Sequence, residues 1–257
     1  MSTGNVSDDW WKEYFSEDIF QTYLLVEGIK WNVKNEADFI DKVFELPKGS
    51  RILDLACGYG RLSIELASRG YDVLGLDYSK ELLEVGRSQA KEKNIKVEFA
   101  QGDMRTMQYS NEFHGVVCWA NSFGYFSDDE NDKVLHLISR SLKRHGKLLL
   151  DLHNKDSVIR NHLGRKWLRK DHIFILTDWS FDARLSRSNI EEIMIDLSVG
   201  TVRERVMSMR EYTLHEIKRM LKDAGLEFLQ VYGDTPRGFT LEGFSIDSSM
   251  QILAQKV

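Results

Sequence analysis

The residues best suited to hold a ligand lie in the stretch Asp54-Leu55-Ala56-Cys57-Gly58-Tyr59-Gly60, where an apolar segment ends and a helix is predicted to begin. Glycine lets the backbone turn sharply and approach a bound molecule, and the carboxyl edge of a parallel sheet forms a crevice for that molecule. Gly58 and Gly60 give G-x-G, but Ser63 stands where a dinucleotide fingerprint has its third glycine. The pattern therefore disfavours NAD and pyrophosphates, whereas an adenosine without phosphates does not need that glycine.

Two more carboxylates follow the next predicted strands. Asp77 closes the second strand, where an acidic side chain can accept hydrogen bonds from both ribose hydroxyls. The alternative is that Asp77 is only an acidic residue at the N-terminus of a helix, beside Ser79. Asp103 follows the third strand and could accept the adenine amino group while Met104 packs on the ring, or be an ordinary loop residue. Because these carboxylates end consecutive strands, we expect them to converge with Asp54 on one crevice.

Short apolar runs alternate with longer helical segments from residue 50 to 155, which predicts βαβ crossovers and a parallel sheet. Strands are predicted over residues 51–57, 71–76, 96–100, 115–119 and 147–152, with closing strands over 227–232 and 249–256. Helices are predicted over 61–69, 80–92, 128–142 and 213–225. Capping boxes, Ser127 with Glu130 and Thr213 with Glu216, mark the beginnings of the last two helices.

A different period appears after residue 154. Residues 173–181, 189–197 and 202–209 alternate in period two, so that Ile193, Ile195 and Leu197 share one face of the middle run. We therefore predict a small antiparallel sheet inserted at residues 157–210, with one face on the domain and one in solvent. Residues 1–45 are predicted to form a helical cap that is rich in aromatic side chains. The core is then residues 46–156 and 211–257.

Composition limits the classes of protein that fit. The chain has 257 residues, 42% of them hydrophobic and 29% charged, as expected for a globular protein. No apolar run approaches the ~20 residues that span a bilayer, and no secretory signal is evident. Cys57 and Cys118 lack metal-ligand spacing, so we expect no metal site and a cytoplasmic location.

Charge argues against a general nucleic-acid binder, because the net charge is −5 and the pI about 5.9. One basic cluster stands out within this acidic chain. It could be a solvated face near a loop or could steer an anionic substrate, and it consists of Arg160, Arg165, Lys166, Arg169 and Lys170.

The turn at residues 54–60, Asp77, and the pair Gly102-Asp103 together resemble the motifs of the class I S-adenosylmethionine (SAM)-dependent methyltransferase family. The resemblance covers about residues 40–155 and 211–257. It implies a Rossmann-like seven-stranded, mostly parallel sheet with helices on both faces, and SAM as cofactor. The cofactor-binding residues that it implies are Asp54, Ala56, Cys57, Gly58, Gly60, Asp77, Tyr78, Asp103, Met104 and Ala120.

The segment Asn121-Ser122-Phe123-Gly124-Tyr125-Phe126 and the insertion resemble the branch of the family that methylates small molecules. Methyl transfer from a sulfonium depends mainly on alignment and exclusion of water, and a hydroxyl acceptor also needs a base. His153, just past the fifth strand, is the candidate base, and Tyr125 could orient the substrate. The alternatives are a hydrogen-bonded loop histidine and a packed tyrosine.

Other functions stay open at this point. The Asn/Asp-Pro-Pro-Tyr motif of many enzymes that methylate nucleic acid or protein is absent after the fourth strand, which disfavours a DNA adenine-type substrate. An RNA or protein methyltransferase stays an alternative. An aminopropyltransferase would need a carboxylate pair where Asn121 and Ser122 stand, and Ser63 disfavours a nicotinamide oxidoreductase. A non-catalytic SAM-binding protein on the same fold is the alternative from another class. The sequence favours a nitrogen or oxygen acceptor without naming it.

Overall fold

The computed structural model describes residues 6–15, 32–235, 238–240 and 244–257. Its strands fall into a large mixed sheet and a separate antiparallel sheet. In chain order they are β1 (Arg51–Leu55), β2 (Asp72–Asp77), β3 (Glu98–Gln101), β4 (Phe113–Cys118), β5 (Leu142–Leu152), β6 (Gly164–Lys170), β7 (Ile173–Asp182), β8 (Arg187–Asp196), β9 (Thr201–Arg210), β10 (Leu226–Thr235), β11 (Gly238–Thr240) and β12 (Met250–Lys256).

The large sheet has the strand order β11-β10-β12-β5-β4-β1-β2-β3. The strands β3, β2, β1, β4 and β5 run parallel, whereas β12 and β10 join antiparallel. This arrangement confirms the predicted seven-stranded, mostly parallel sheet, to which the short β11 adds one edge strand. The order reverses beside β1, so the carboxyl ends of β1, β2, β3 and β4 open onto a common crevice.

Helices cover both faces of this sheet. They are α1 (Trp10–Tyr14), α2 (Val33–Phe44), α3 (Arg61–Ser68), α4 (Lys80–Glu92), α5 (Asp128–Ser141), α6 (Lys155–Asn161) and α7 (Leu214–Asp223). Both predicted capping boxes are present, at the beginnings of α5 and α7. Each satisfies backbone N–H groups that have no partner within the helix, which is why these two boundaries were readable from the sequence.

Alternate residues of each central strand enter opposite cores. Leu148 and Leu150 of β5 pack in the cluster that contains α5 and α7, while Leu149 packs in the cluster that contains α2 and α3. Burial on both sides explains why the parallel strands are continuous apolar runs rather than alternating ones. The sheet is thereby held between two hydrophobic layers, and its carboxyl edge is a rigid base for the loops.

The inserted segment contains more structure than the sequence indicated. Four strands, in the order β6-β7-β8-β9, form its antiparallel sheet, and α6 precedes them. The basic cluster, predicted as a solvated face or a steering patch, extends from α6 along the edge strand β6. On one face of β8 the side chains of Ile190 and Met194 are buried. The other face carries Ile193 and Ile195. Leu197 continues that face just past the strand and is 61% exposed.

The predicted N-terminal cap can be compared only in part. Helices α1 and α2 lie within residues 1–45, and Trp10, Trp11 and Tyr14 of α1 are buried. Phe15 packs beside them and is partly buried, whereas Phe20, Tyr23 and Trp31, which the prediction of an aromatic cap also includes, lie outside the described residues. Within the parts of the chain that are described, no helix is both long and apolar enough to cross a membrane.

Gly86 of α4 lets this helix pack closely on the turn that follows β1. A Cβ atom built at Gly86 would lie 2.8 Å from the carbonyl oxygen of Tyr59 and 3.2 Å from the Phe99 ring. The backbone of α4 at Gly86 therefore packs directly against the turn, with no side chain between them.

We expect Gly86→Ala to destabilise the protein, although alanine is the better helix former by about 1 kcal/mol. Overpacking against backbone costs about 1–3 kcal/mol, which should outweigh that gain. The matched control is Ser88→Ala, on the exposed side of the same helix, which should be neutral or slightly stabilising. Urea unfolding of both variants measures the difference. Equal stability of the two variants would show that the helix can move away from the turn.

Candidate functional site

Backbone conformation shapes the turn at the end of β1. Ala56, Gly58 and Gly60 all have positive φ, at 58°, 57° and 72°. A Cβ atom at Gly58 would meet nothing within 4 Å, whereas one at Gly60 would lie 2.4 Å from the Phe99 ring. Gly58 thus faces open space, and Gly60, predicted to bind the cofactor, is required for packing beneath the turn.

Asp54 lies at the base of this turn and is only 2% exposed. The Ser63 hydroxyl donates a hydrogen bond of 2.5 Å to its Oδ2. Burial raises the pKa of Asp54 to about 6, against the opposing effects of Ser63 and Arg61. Ser63, which replaces the third glycine of a dinucleotide fingerprint, therefore holds a buried carboxylate in place.

Asp77, at the end of β2, joins two loops. Its Oδ2 accepts a hydrogen bond of 2.7 Å from the Gly58 N–H, and its Oδ1 accepts one of 2.8 Å from the Ser79 N–H. Burial raises its pKa, although these backbone hydrogen bonds favour the ionised form. Next to it, Tyr78 is 44% exposed and meets the ring of Trp11 edge to face at 4.7 Å.

Asp103, after β3, is held by Arg105. The guanidinium donates to both carboxylate oxygens, the shortest contact being 2.7 Å. Arg105 also bonds Glu130 at 2.7 Å and lies 4.5 Å from the centre of the Phe126 ring. Although burial opposes ionisation, Arg105 lowers the pKa of Asp103, which is therefore anionic at neutral pH. Met104 is buried beside it.

The end of β4 is also strained. Ala120 and Asn121 both have positive φ, at 57° and 58°, a conformation that costs roughly 1–2 kcal/mol for a residue with a side chain. The Ala120 N–H donates to Asp151 Oδ2 at 3.0 Å, and the Gln251 amide donates to Asp151 Oδ1 at 2.8 Å. Asp151 is a buried residue of β5 whose pKa burial raises to about 6. It was not among the predicted site residues.

A cavity of about 1050 Å³ brings these groups together. Its wall includes Asp54, Ala56, Cys57, Gly58, Asp77, Tyr78, Asp103, Met104, Ala120, Tyr125 and His153. Of the predicted site residues, only Gly60 is not part of the wall. The inserted sheet and α1 contribute further lining through residues such as Ile190 and Trp11.

His153, which lines this cavity, contacts Glu211. Nδ1 of His153 lies 3.4 Å from Oε1 of Glu211, whose side chain is 2% exposed. The rings of His162 and Trp179 are 6.2 and 5.8 Å from that of His153. Burial lowers the pKa of His153, but the charge and hydrogen bond of Glu211 outweigh it, so the pKa is raised overall.

Tyr125, the other predicted catalytic residue, is buried among aromatic rings. Its ring stacks on Phe15 at 5.6 Å and meets Trp10 edge to face at 5.1 Å. Burial raises the pKa of its phenol far above the ordinary value, so the hydroxyl stays neutral. Tyr125 can therefore donate or accept a hydrogen bond at the cavity wall but does not serve as a base at neutral pH.

Sequence reasoning missed the charged groups Arg61, Asp151 and Glu211. Arg61 forms an ion pair with Glu36 of α2 at the cavity wall. Its position at the beginning of α3, directly after the glycine turn, was the available signal. Glu211 carried no signal, because its partner His153 is remote in sequence.

Comparison with known proteins agrees with this geometry. The model of the family described as "Methyltransferase domain" matches residues 52–146. A putative methyltransferase of Geobacillus sp. strain WCH70 is 32% identical over 196 residues, which cover 72% of this chain and 76% of that protein.

This chain belongs to the SAM-dependent methyltransferase family.

Further similarities extend over most of this methyltransferase. A glycine/sarcosine N-methyltransferase of Parasynechococcus marenigrum is 26% identical over 225 residues, covering 85% of this chain and 78% of that one. A SAM-dependent methyltransferase structure from Clostridium acetobutylicum has a TM-score of 0.78 at 20% identity, covering 93% and 98% of the two chains. The SAM-bound amino pentose methyltransferase CalS10 from Micromonospora echinaspora has a TM-score of 0.69 at 19% identity, with 93% and 97% covered.

The cavity wall fits the chemistry of SAM. Asp77 and Asp103 present anionic acceptors, Asp54 presents a buried carboxylate, and Arg61 presents a cation. Among the described residues, Nε1 of Trp11 and Oδ1 of Asn121 are buried without a hydrogen-bond partner, and both residues line the cavity. Unsatisfied buried donors and acceptors at a cavity wall fit a polar ligand that would complete their hydrogen bonds.

We expect Asp77→Ala to weaken SAM binding about ten- to a hundred-fold, or roughly 1.5–3 kcal/mol. The substitution removes an acceptor for ribose hydroxyls and releases the Gly58 N–H that fixes the turn. The control is Asp72→Ala, at the opposite end of β2, where the side chain is 55% exposed. Calorimetric titration with SAM measures both. An unchanged affinity in Asp77→Ala would refute the placement of the ribose.

SAM affinity should also decrease as the pH is lowered through about 6, the pKa of Asp54. The cationic methionine end of SAM favours the ionised carboxylate, so at lower pH binding must expel a proton, and affinity falls by up to about tenfold per pH unit. Asp54→Asn should bind more weakly at pH 8 and lose this dependence. Asp151→Asn is the comparison, since Asp151 has a similar pKa but binds Ala120 and Gln251 and should leave the slope intact. If the SAM affinity of Asp54→Asn falls with decreasing pH as steeply as that of the parent protein, this prediction is contradicted.

Proposed function

We propose that this methyltransferase transfers the methyl group of SAM to the amine nitrogen of a small organic molecule, with His153 as the base. The observation that carries this proposal is that His153, which contacts the buried Glu211, lines the same cavity as the predicted cofactor residues. A histidine held by a buried carboxylate can accept a proton near neutral pH.

The proposal divides the cavity into two ends. The cofactor end is the wall formed by Asp54, Gly58, Asp77, Asp103 and Ala120. There the turn after β1 would hold the methionine part of SAM with Arg61 near its carboxylate, Asp77 the ribose, and Asp103 with Met104 the adenine. Ala56, Cys57, Tyr78 and Ala120 would complete the contacts.

The acceptor end is the wall formed by His153, His162, Lys166, Trp179 and Asp234. Asp151 links the two ends, because it bonds the Ala120 N–H and its charge acts on His153. Carboxylates of Asp151 and Asp234, with the Trp179 ring nearby, favour an acceptor that arrives as a cation. This charge pattern supports an amine, which is protonated in water at neutral pH, over a hydroxyl.

The basic cluster gives little support to an anionic acceptor. Arg160 contacts Asp247 at 3.5 Å and Arg165 contacts Asp178 at 2.9 Å, so both are paired with carboxylates. Of the five residues in the cluster, Lys166 alone lines the cavity. The cavity of about 1050 Å³ must hold both the cofactor and the acceptor, and this volume favours a small acceptor over a polymer.

The names of two similar proteins support the same class of acceptor. Glycine and sarcosine are amines, and an amino pentose carries an amino group. Amines are therefore the first class of acceptor to test, before alcohols.

The chain's own residues would act by orientation and proton acceptance. When bound, SAM supplies a methyl group on a sulfonium sulfur. Trp11, Tyr14 and Tyr125 would close the site against water, and aromatic faces there favour positive charge. Nδ1 of His153 is engaged by Glu211, so Nε2 is the atom that would take the proton from the acceptor nitrogen and leave its lone pair free.

The function is tested with radiolabelled SAM and matched acceptors, for example 2-phenylethylamine, 2-phenylethanol and glycine, with mixed tRNA and casein as polymer controls. We expect label on amines alone. Label on the alcohol or on a polymer overturns the amine proposal. Retained SAM binding without transfer to any acceptor in a wider amine panel favours the non-catalytic alternative.

With the best amine, His153→Ala should lower kcat about a hundred-fold or more at neutral pH, the usual size of a general-base contribution. SAM affinity should stay within about twofold of the parent, because the substitution lies at the acceptor end. His172→Ala is the control, since that ring is 51% exposed on the inserted segment. Steady-state rates and SAM titration measure both effects. An unchanged kcat would remove His153 from the mechanism.

A further inference from the structure

Glu211 and His153 occupy the two connections between the inserted segment and the large sheet. His153 directly follows β5, and Glu211 directly follows β9. The neighbouring residues Asn154 and Tyr212 form a parallel bridge, and the Lys155 N–H donates to the Tyr212 carbonyl at 3.1 Å. The side chains of His153 and Glu211 therefore meet where the insertion leaves the core and where it returns.

The position of Glu211 is fixed by its backbone. Its N–H donates to the Ser186 carbonyl at 2.8 Å, and its carbonyl accepts hydrogen bonds from the Ser186 hydroxyl at 3.2 Å and from the Arg210 guanidinium. The chain thus holds a carboxylate that is only 2% exposed beside the imidazole. Burial of a carboxylate is unfavourable unless it is paired, and the side-chain partner of Glu211 is His153.

The contact determines how the imidazole is presented. A carboxylate at Nδ1 favours the tautomer with the proton on Nδ1, which leaves Nε2 as an acceptor. The rings of Trp179 and His162 flank His153 at 5.8 and 6.2 Å and restrict its rotation. His153 is 21% exposed and lines the cavity, so the remaining nitrogen is available to a bound molecule.

The surrounding charged groups shift the pKa of His153 and that of the neighbouring His162 in opposite directions. Glu211, Asp151 on β5 and Asp234 on β10 act on His153 and raise its pKa against the effect of burial. Burial, Lys166 and His153 itself lower the pKa of His162. The two rings therefore differ, because the three carboxylates outweigh burial at His153, whereas at His162 the effect of Glu211 is outweighed.

We propose that Glu211 is the positioning residue for His153, which it orients through Nδ1 and supports in the protonated state. This inference rests on the proposed function, in which His153 is the base. In the proton transfer the N–H bond of the acceptor breaks, its electron pair stays on nitrogen, and the proton binds Nε2 of His153. Glu211 exchanges no proton in this step and touches neither the acceptor nor the cofactor.

The test uses the full chain saturated with S-adenosylhomocysteine, whose histidine ring resonances are followed by NMR over pH 5–9. The His153→Gln variant assigns the His153 signal. In Glu211→Gln we expect the pKa of His153 to fall by about one unit or more, because an adjacent anion is removed. Glu211→Asp should restore part of the shift. Glu204→Gln, an exposed carboxylate of β9, is the charge-matched control and should leave the pKa unchanged.

Activity gives the second readout. In Glu211→Gln, kcat with the best amine should fall about tenfold or more, while the affinity for S-adenosylhomocysteine stays within about twofold. The acidic limb of the pH profile should move to lower pH together with the pKa of His153. A purely structural role for Glu211 would lower activity without moving this limb.

The outcomes separate the two proposals. An unchanged His153 pKa in a folded Glu211→Gln protein overturns the role of Glu211. A lowered pKa with unchanged rates in both Glu211→Gln and His153→Gln overturns His153 as the base and hence the positioning role. Should Glu211→Gln not fold, the nitrogen-15 shifts of His153 in the parent protein decide. Protonation of Nδ1 in the neutral ring supports the proposal, and protonation of Nε2 overturns it.

Discussion

Asp77 accepts backbone hydrogen bonds from two directions, from Gly58 at 2.7 Å and from Ser79 at 2.8 Å. The first bond fixes the turn that leads into α3, and the second fixes the residue that caps α4. Because α4 also packs on Tyr59 through Gly86, the turn, the strand end and both helices form one unit. One partly buried carboxylate thus fixes where the backbone N–H groups of the cofactor end lie, and a ligand at that end meets a surface that is already ordered.

The backbone is strained at the ends of β1 and β4, which border this surface. Ala56 after β1 and Ala120 after β4 adopt left-handed conformations, which persist only where the surroundings determine them. The parallel strands are buried on both faces, and Asp151 holds the Ala120 N–H at 3.0 Å. The two hydrophobic layers therefore do more than stabilise the fold. They hold the strained connections open to the cavity, where unstrained turns would direct the chain differently.

Local signals account for what the sequence could predict. The central strands are continuous apolar runs, the capping boxes at Ser127 and Thr213 involve residues close in sequence, and the convergence of Asp54, Asp77 and Asp103 follows from parallel topology. Strand β6 was missed because its basic side chains hide a β pattern on an exposed edge. The packing of Gly60 could not be predicted, because the nearby ring of Phe99 comes from another strand. Glu211 was beyond prediction, since only the folded chain brings it to His153.

The junction formed by Asn154 and Tyr212 has an evolutionary consequence. Since both connections of the inserted segment leave the core side by side, a different segment could replace it there without disturbing the strands that form the cofactor end. Acceptor preference could then diverge while methyl donor use is retained. The position of the second joint would matter for catalysis, however, because Glu211 directly follows β9, where the core resumes. Chimaeras joined before residue 211 would keep the carboxylate beside His153, whereas those joined after it would exchange that carboxylate and keep the histidine.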